Sequence, residues 1–346
     1  MNPHAKLITL TSLALGTTIT ISSNHWAMAW TGLEINTIAI IPMISKSHHP
    51  RAIEATIKYF LVQAAASATI LFSSMINAWS TGQWDITQLT NTTSCLLLTT
   101  AIAMKLGLTP FHFWFPEVLQ GSSLITALLL STVMKLPPIA ILLLTSNSLN
   151  PHLLTLMAIM SAAVGGWMGL NQTQIRKILA FSSISHLGWM TIITIYAPKL
   201  TLLTFLFYTL LTSTIFLSLN TSNTTKLSTL MTAWTKTPML NATLMLTLLS
   251  LAGLPPFTGF LPKWLITQEL TKQEMTPTAL IIALLSLLSL FFYLRLTYFS
   301  SITLPPNSVN QTKHWYINKN THALIAVLTP LSTLLLPLSP LILPTI

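Results

Sequence analysis

The sequence predicts an all-α integral membrane protein, on three observations. Of 346 residues, 52% are hydrophobic and only 6% charged, with a mean hydropathy of +0.68, so the chain lacks the polar surface that a protein in water needs. Apolar runs of about 20 residues, enough for a helix to cross the hydrocarbon core, recur almost from end to end. These runs are too long and too continuously apolar for barrel strands, and an open sheet edge finds no hydrogen-bond partner in hydrocarbon.

The apolar runs place helices near residues 4–22, 25–44, 57–79, 95–117, 122–146 and 153–171. Five more fall near 176–197, 200–220, 238–263, 277–299 and 323–345, about eleven in all. No stretch is left for a separate soluble domain, so residues 1–346 read as one polytopic membrane domain. The first run lacks a small-residue cleavage site and is expected to stay as a helix. With this count the connections alternate in charge. One side holds Lys6, Lys46, Arg51, Lys58, Arg176, Lys177, Lys226, Lys236, Arg295, Lys313 and Lys319; the other holds Asp85, Lys199, Glu269, Lys272 and Glu274. That asymmetry puts the N-terminus on the positive side and the C-terminus on the opposite one. An extra or missing helix would scramble it.

A repeated decapeptide divides the chain. Gly107-Leu108-Thr109-Pro110-Phe111-His112-Phe113-Trp114-Phe115-Pro116 returns as Gly253-Leu254-Pro255-Pro256-Phe257-Thr258-Gly259-Phe260-Leu261-Pro262. A charge follows each copy, Glu117 and Lys263. Gly107, Pro110, Gly253, Pro255 and Pro256 break helices inside apolar runs, and corresponding breaks in two halves point to the working site of a transporter. The halves are expected over about 25–146 and 153–299, with 323–345 as a C-terminal helix.

Four ionisable groups fall within or at the edge of apolar segments: Glu34, Lys105, Lys135 and Lys263. A charge at the bilayer centre costs about 2.5–3.5 kcal/mol on insertion scales, so such groups face the bundle interior, pair, and mark ion paths. Lys105 lies two residues before the first break, Lys135 precedes the Leu136-Pro137-Pro138 kink, and Lys263 directly follows the second break. Burial disfavours a charged lysine and a nearby carboxylate restores it, so moving a neighbour switches the charge state. Lysine snorkelling to an interface is the competing reading, weightiest for Lys263 near a predicted helix end. His112, inside the first break, and His186, in the polar run Ser182–Gly188, are possible proton relays or plain packing histidines. His25 reads as interfacial with Trp26; Glu117, Arg176 and Lys177 read as surface or subunit-contact groups.

Several classes are excluded. The basic residues are scattered through short loops without a concentrated basic face, so the net charge of +10 reflects membrane topology and no nucleic-acid partner is expected. The single cysteine, Cys95, allows no internal disulfide or cysteine-based metal site. No phosphate loop or dinucleotide fingerprint is present, and His48-His49 reads as solvated surface, so no cofactor or metal is expected in this chain.

The segments Trp30-Thr31-Gly32-Leu33-Glu34-Ile35-Asn36, Met104-Lys105 with the first decapeptide, the second decapeptide with Lys263-Trp264, and Gly169–Ser183 together resemble the antiporter-like membrane subunits of respiratory complex I over nearly the whole chain. The resemblance implies two inverted five-helix repeats and a proton path along a polar axis. On it, Glu34 is the carboxylate paired with Lys105, Lys135 the central relay and Lys263 the distal group. Bacterial relatives of this family have fourteen helices, and about eleven matches the shortened animal form. It further implies the mitochondrial inner membrane, an N-terminus in the matrix and a C-terminus toward the intermembrane space. Subunits 4L and 4 are implied as lateral neighbours, with accessory subunits and membrane lipids around them. Flavin and iron-sulfur clusters are expected in partner subunits only. Two other readings fit the residues: a stand-alone cation/proton antiporter, and a scaffold in which the charges only lock helices together.

Overall fold

The computed structural model describes residues 3–47, 49–235, 237–301 and 323–339. His48, Lys236, Lys313, Lys319 and the end of the predicted C-terminal helix lie outside them. The described residues form helices without a β-strand element, and the chain divides into two compact units, Met1–Ser161 and Ala162–Ile346.

The first unit contains α1 (Pro3–Ser22), α2 (Trp26–Ile44), α3 (Pro50–Thr81), α4 (Thr92–Leu106), α5 (Trp114–Gly121), α6 (Leu124–Ser131) and α7 (Leu136–Leu144). The division falls within α8 (Pro151–Gly169). The second unit continues with α9 (Ile175–Ile193), α10 (Pro198–Ser222), α11 (Leu227–Met231), α12 (Pro238–Ala252), α13 (Phe260–Lys272), α14 (Thr276–Ser301) and α15 (Ala323–Thr333). Among the described residues, seven helical stretches are long and apolar enough to cross a membrane: α1, α2, α3, Leu124–Leu144, α8, α10 and α14; α4, α12 and α15 are shorter apolar helices. Large apolar side chains such as Leu61, Phe72, Leu156, Leu284 and Phe291 lie exposed on these helices, as lipid contact requires.

Four boundaries differ from the sequence reading, the first at the expected helix 323–345, where α15 stops at Thr333 and a 3-10 turn follows at Leu336–Leu338, around Pro337. α3 starts at Pro50 rather than near 57, because Pro50 fits the first helical turn and His49 Nδ1 accepts from the Arg51 N–H. The span 122–146 is interrupted by a 3-10 turn at Val133–Lys135 just before Pro137 and Pro138, so the expected kink is there and Lys135 sits on it. The span 238–263 runs on to Lys272 after its break, since α13 buries Leu265, Ile266 and Leu270 while Glu269 and Lys272 pair at its outer side. Lys263 therefore opens a helix instead of closing one.

Close helix contacts rest on glycine. A Cβ on Gly16 of α1 would lie 2.9 Å from the Gly32 carbonyl oxygen of α2, so the two backbones approach over a gap only hydrogen can fill. The two units also share a local tie. In the first, Trp26 N–H donates to the Trp84 carbonyl (3.1 Å) and Ile86 N–H to the Asn24 carbonyl (3.0 Å). In the second, Ile175 N–H donates to the Thr225 carbonyl (3.2 Å) and Leu227 N–H to the Thr173 carbonyl (3.1 Å). Each tie fastens the start of one helix, α2 or α9, to the connection that leads into the interrupted helix. His25 caps α2 through Nδ1 and stacks on Trp84 at 5.6 Å, while Trp26 is buried, so the expected interfacial pair is replaced by a cap and a core residue.

Candidate functional site

Both decapeptides stop a helix in the same way. α4 and α12 end on Gly107 and Gly253 with φ of +76° and +82°, the left-handed conformation that glycine adopts without a Cβ penalty. The helix cannot continue through the prolines that follow, so carbonyls of its last turn lose their helical partners. In the first unit the Trp114 indole donates to the Met104 carbonyl (3.2 Å). In the second the Lys263 ammonium donates to the Ala252 carbonyl (2.9 Å). Gly253 serves a second purpose, because a Cβ there would lie 2.9 Å from Lys263 Nζ. Gly259 allows a close approach as well: a Cβ there would run into the Ser250 carbonyl oxygen. Thr258 hydroxyl donates to the Ser332 carbonyl and ties this break to α15.

The charged candidates gather around these breaks. In the first unit Lys105, on the last turn of α4, and Lys135, on the 3-10 turn, are 5% and 3% exposed. They line one cavity of about 20 Å³ with Tyr59, Gln63, Trp114 and Phe115. Lys135 Nζ lies 4.6 Å from the Phe115 ring centroid. Glu34, half-buried on α2, accepts a hydrogen bond from Thr37 Oγ1 (3.1 Å). No salt bridge joins Glu34 to Lys105 among the described residues. His112 is 4% exposed, packs on Phe113 at 4.1 Å, and has no well-formed hydrogen bond among the described residues.

In the second unit, Lys263 and His186 line a cavity of about 30 Å³ with Trp189, Tyr208 and Gly259. His186 Nε2 and Tyr293 Oη lie 3.4 Å apart, and Tyr208 packs on the His186 ring at 5.7 Å. α9 carries this histidine through the buried core although it is rich in serine. Ser182, Ser183 and Ser185 each donate to a carbonyl three residues back, which satisfies their hydroxyls within the helix.

The remaining candidates are peripheral. Glu117 is exposed and pairs with Lys58 (2.6 Å), which also pairs with Glu54 (2.5 Å). Cys95 is a buried free thiol, and no cluster of three potential metal ligands occurs among the described residues. The partners that sequence reasoning missed are Tyr59, Gln63, Tyr208 and Tyr293. Tyrosine and glutamine inside an apolar helix carry no signal until the fold turns them toward a lysine or histidine.

A helical membrane bundle with interrupted helices and buried lysines is the architecture of a transport protein that moves a small cation or proton. The chain belongs to the family described as "NADH:quinone oxidoreductase/Mrp antiporter, TM", which it matches over residues 23–289, and it matches the "NADH dehydrogenase subunit 2 C-terminus" family over residues 290–343. It is 77% identical over 336 residues to the NADH-ubiquinone oxidoreductase chain 2 of Struthio camelus, covering 97% of each chain. A chain of respiratory complex I from Thermus thermophilus superimposes with a TM-score of 0.83 at 26% identity, over 97% of this chain and 80% of that one. A chain of the Mrp complex from Dietzia sp. DQ12-45-1b shares the fold, with a TM-score of 0.75 at 17% identity over 84% of this chain and 59% of that one.

Proposed function

We propose that this chain is a membrane subunit of respiratory complex I and takes part in moving protons while NADH is oxidised and ubiquinone reduced in other subunits. The observation that carries this reading is the burial of Lys105 and Lys135 on one cavity beside an interrupted helix, in a chain of this family. A lysine held in a cavity of this kind changes charge when a neighbour changes. In one cycle, a charge change arriving from an adjacent subunit alters Glu34, whose field reaches Lys105. Lys105 then passes a proton to Lys135, and Lys263 with His186 carries a later step.

The two backbone ties support the repeat, since they set α2, α3 and α4–α5 in register with α9, α10 and α12–α13. A five-helix repeat in that register begins with α1 rather than at residue 25, and its counterpart begins with α8. Positive connections on one side support eleven crossings in the mitochondrial inner membrane, with the N-terminus in the matrix and the C-terminus toward the intermembrane space. Lateral neighbours 4L and 4 complete the reading.

Native separation of mild-detergent membranes tests the assembly. Migration inside a large NADH-oxidising complex is expected; migration alone, with cation/proton exchange by the isolated chain in liposomes, would replace this reading by the stand-alone antiporter.

A further inference from the structure

The first unit's cavity, at about 20 Å³, has the size of a single-water site, since one water needs at least about 10–15 Å³. Two of the residues that line it carry buried groups, Lys105 Nζ and Tyr59 Oη, that have no hydrogen-bond partner among the described residues. Buried polar groups in folded proteins are satisfied by protein or by ordered water in the large majority of cases, so two such groups on one small cavity define a place for water. Lys135 completes the wall.

We propose that this cavity binds one ordered water between Lys105 and Lys135, and that Tyr59 is the positioning residue that orients it for proton transfer. The inference rests on the proposed proton-carrying role. An ammonium offers only donors, whereas water and a phenol each donate and accept. The water accepts from Lys105, and the Tyr59 hydroxyl fixes its remaining orientation. In the step, one N–H bond of the Lys105 ammonium breaks as an O–H bond forms on the water. A second O–H bond of that water breaks as an N–H bond forms on the neutral Lys135 amine. The water ends as it began, one proton has moved, and no other reactant takes part. Tyr59 keeps its proton throughout.

Two measurements on the assembled complex test this. A high-resolution density map is expected to show a solvent peak within hydrogen-bond distance of both Tyr59 Oη and Lys105 Nζ; a well-ordered cavity without one overturns the proposal. Tyr59→Phe keeps the ring and removes the hydroxyl. It is expected to assemble, to lower coupled turnover about tenfold, and to raise the solvent deuterium isotope effect, which a purely structural role leaves unchanged. Wild-type turnover and isotope effect in Tyr59→Phe, with pumping lost in Lys135→Met, overturns the water site alone. If Lys135→Met also pumps normally, the proton-carrying reading fails with it. If Tyr59→Phe does not assemble, the map decides.

Discussion

In the first unit the carbonyl freed at Met104 is satisfied by an indole, which leaves Lys105 and Lys135 on a cavity wall; in the second the carbonyl freed at Ala252 is satisfied by Lys263 itself. The same interruption thus releases a lysine in one unit and holds one in the other. Lys105 is positioned to change partners without disturbing the break, whereas Lys263 leaves its carbonyl only if the break or its own side chain moves. The histidines differ correspondingly. His112 has no well-formed hydrogen bond among the described residues, while His186 faces the Tyr293 hydroxyl. The two breaks share a local geometry and hold their lysines differently.

Substitutions at matched positions separate the two units. The largest effect is expected at Gly259, where alanine would drive a methyl group into the Ser250 carbonyl and the α12–α13 break cannot close. Gly259→Ala is expected to abolish accumulation of the assembled complex on native gels, whereas Phe113→Ala at the matching position, a side chain 64% exposed, is expected to assemble. Next come the lysines: Lys105→Met and Lys135→Met are expected to assemble and to lower NADH-driven proton release at least about tenfold, the lower range of a lost acid–base group. Trp114→Phe removes the donor to the Met104 carbonyl and is expected to cost about 1–3 kcal/mol, read as earlier thermal inactivation of the complex. Gly107→Ala meets nothing closer than 3.5 Å and is expected to cost about 1–2 kcal/mol from its left-handed φ alone. Gly253→Ala adds contact with Lys263 and is expected to inactivate at a lower temperature than Gly107→Ala. The smallest effect belongs to Lys58→Ala, whose accessible ion pairs are expected to leave assembly and thermal inactivation unchanged.

Much of the fold was legible because a membrane leaves the chain few choices: apolar length sets the spans, and glycine before proline sets the breaks. Glu34, Lys105, Lys135 and Lys263 stood out because a charge in an apolar run is costly. Continuous apolarity alone nonetheless puts Lys263 at a helix end, since Gln268, Glu269 and Lys272 look like a loop; α13 carries them as a helix that buries Leu261, Leu265, Ile266 and Leu270. The resemblance implies a direct Glu34–Lys105 contact, yet Glu34 accepts from Thr37 on its own helix and forms no ion pair with Lys105. Tyr59 and Tyr293 were silent because their importance lies in the cavity or nitrogen they face, which pairwise distance in the chain does not encode.

On the proposed function, half-buried Glu34 and the lysines at the two breaks carry the protons this subunit contributes. The most direct measurement is the number of protons released per electron by the assembled complex in liposomes, compared between wild type and Glu34→Gln at equal assembly. A lower ratio in the variant is predicted. An unchanged ratio with normal assembly would contradict the account.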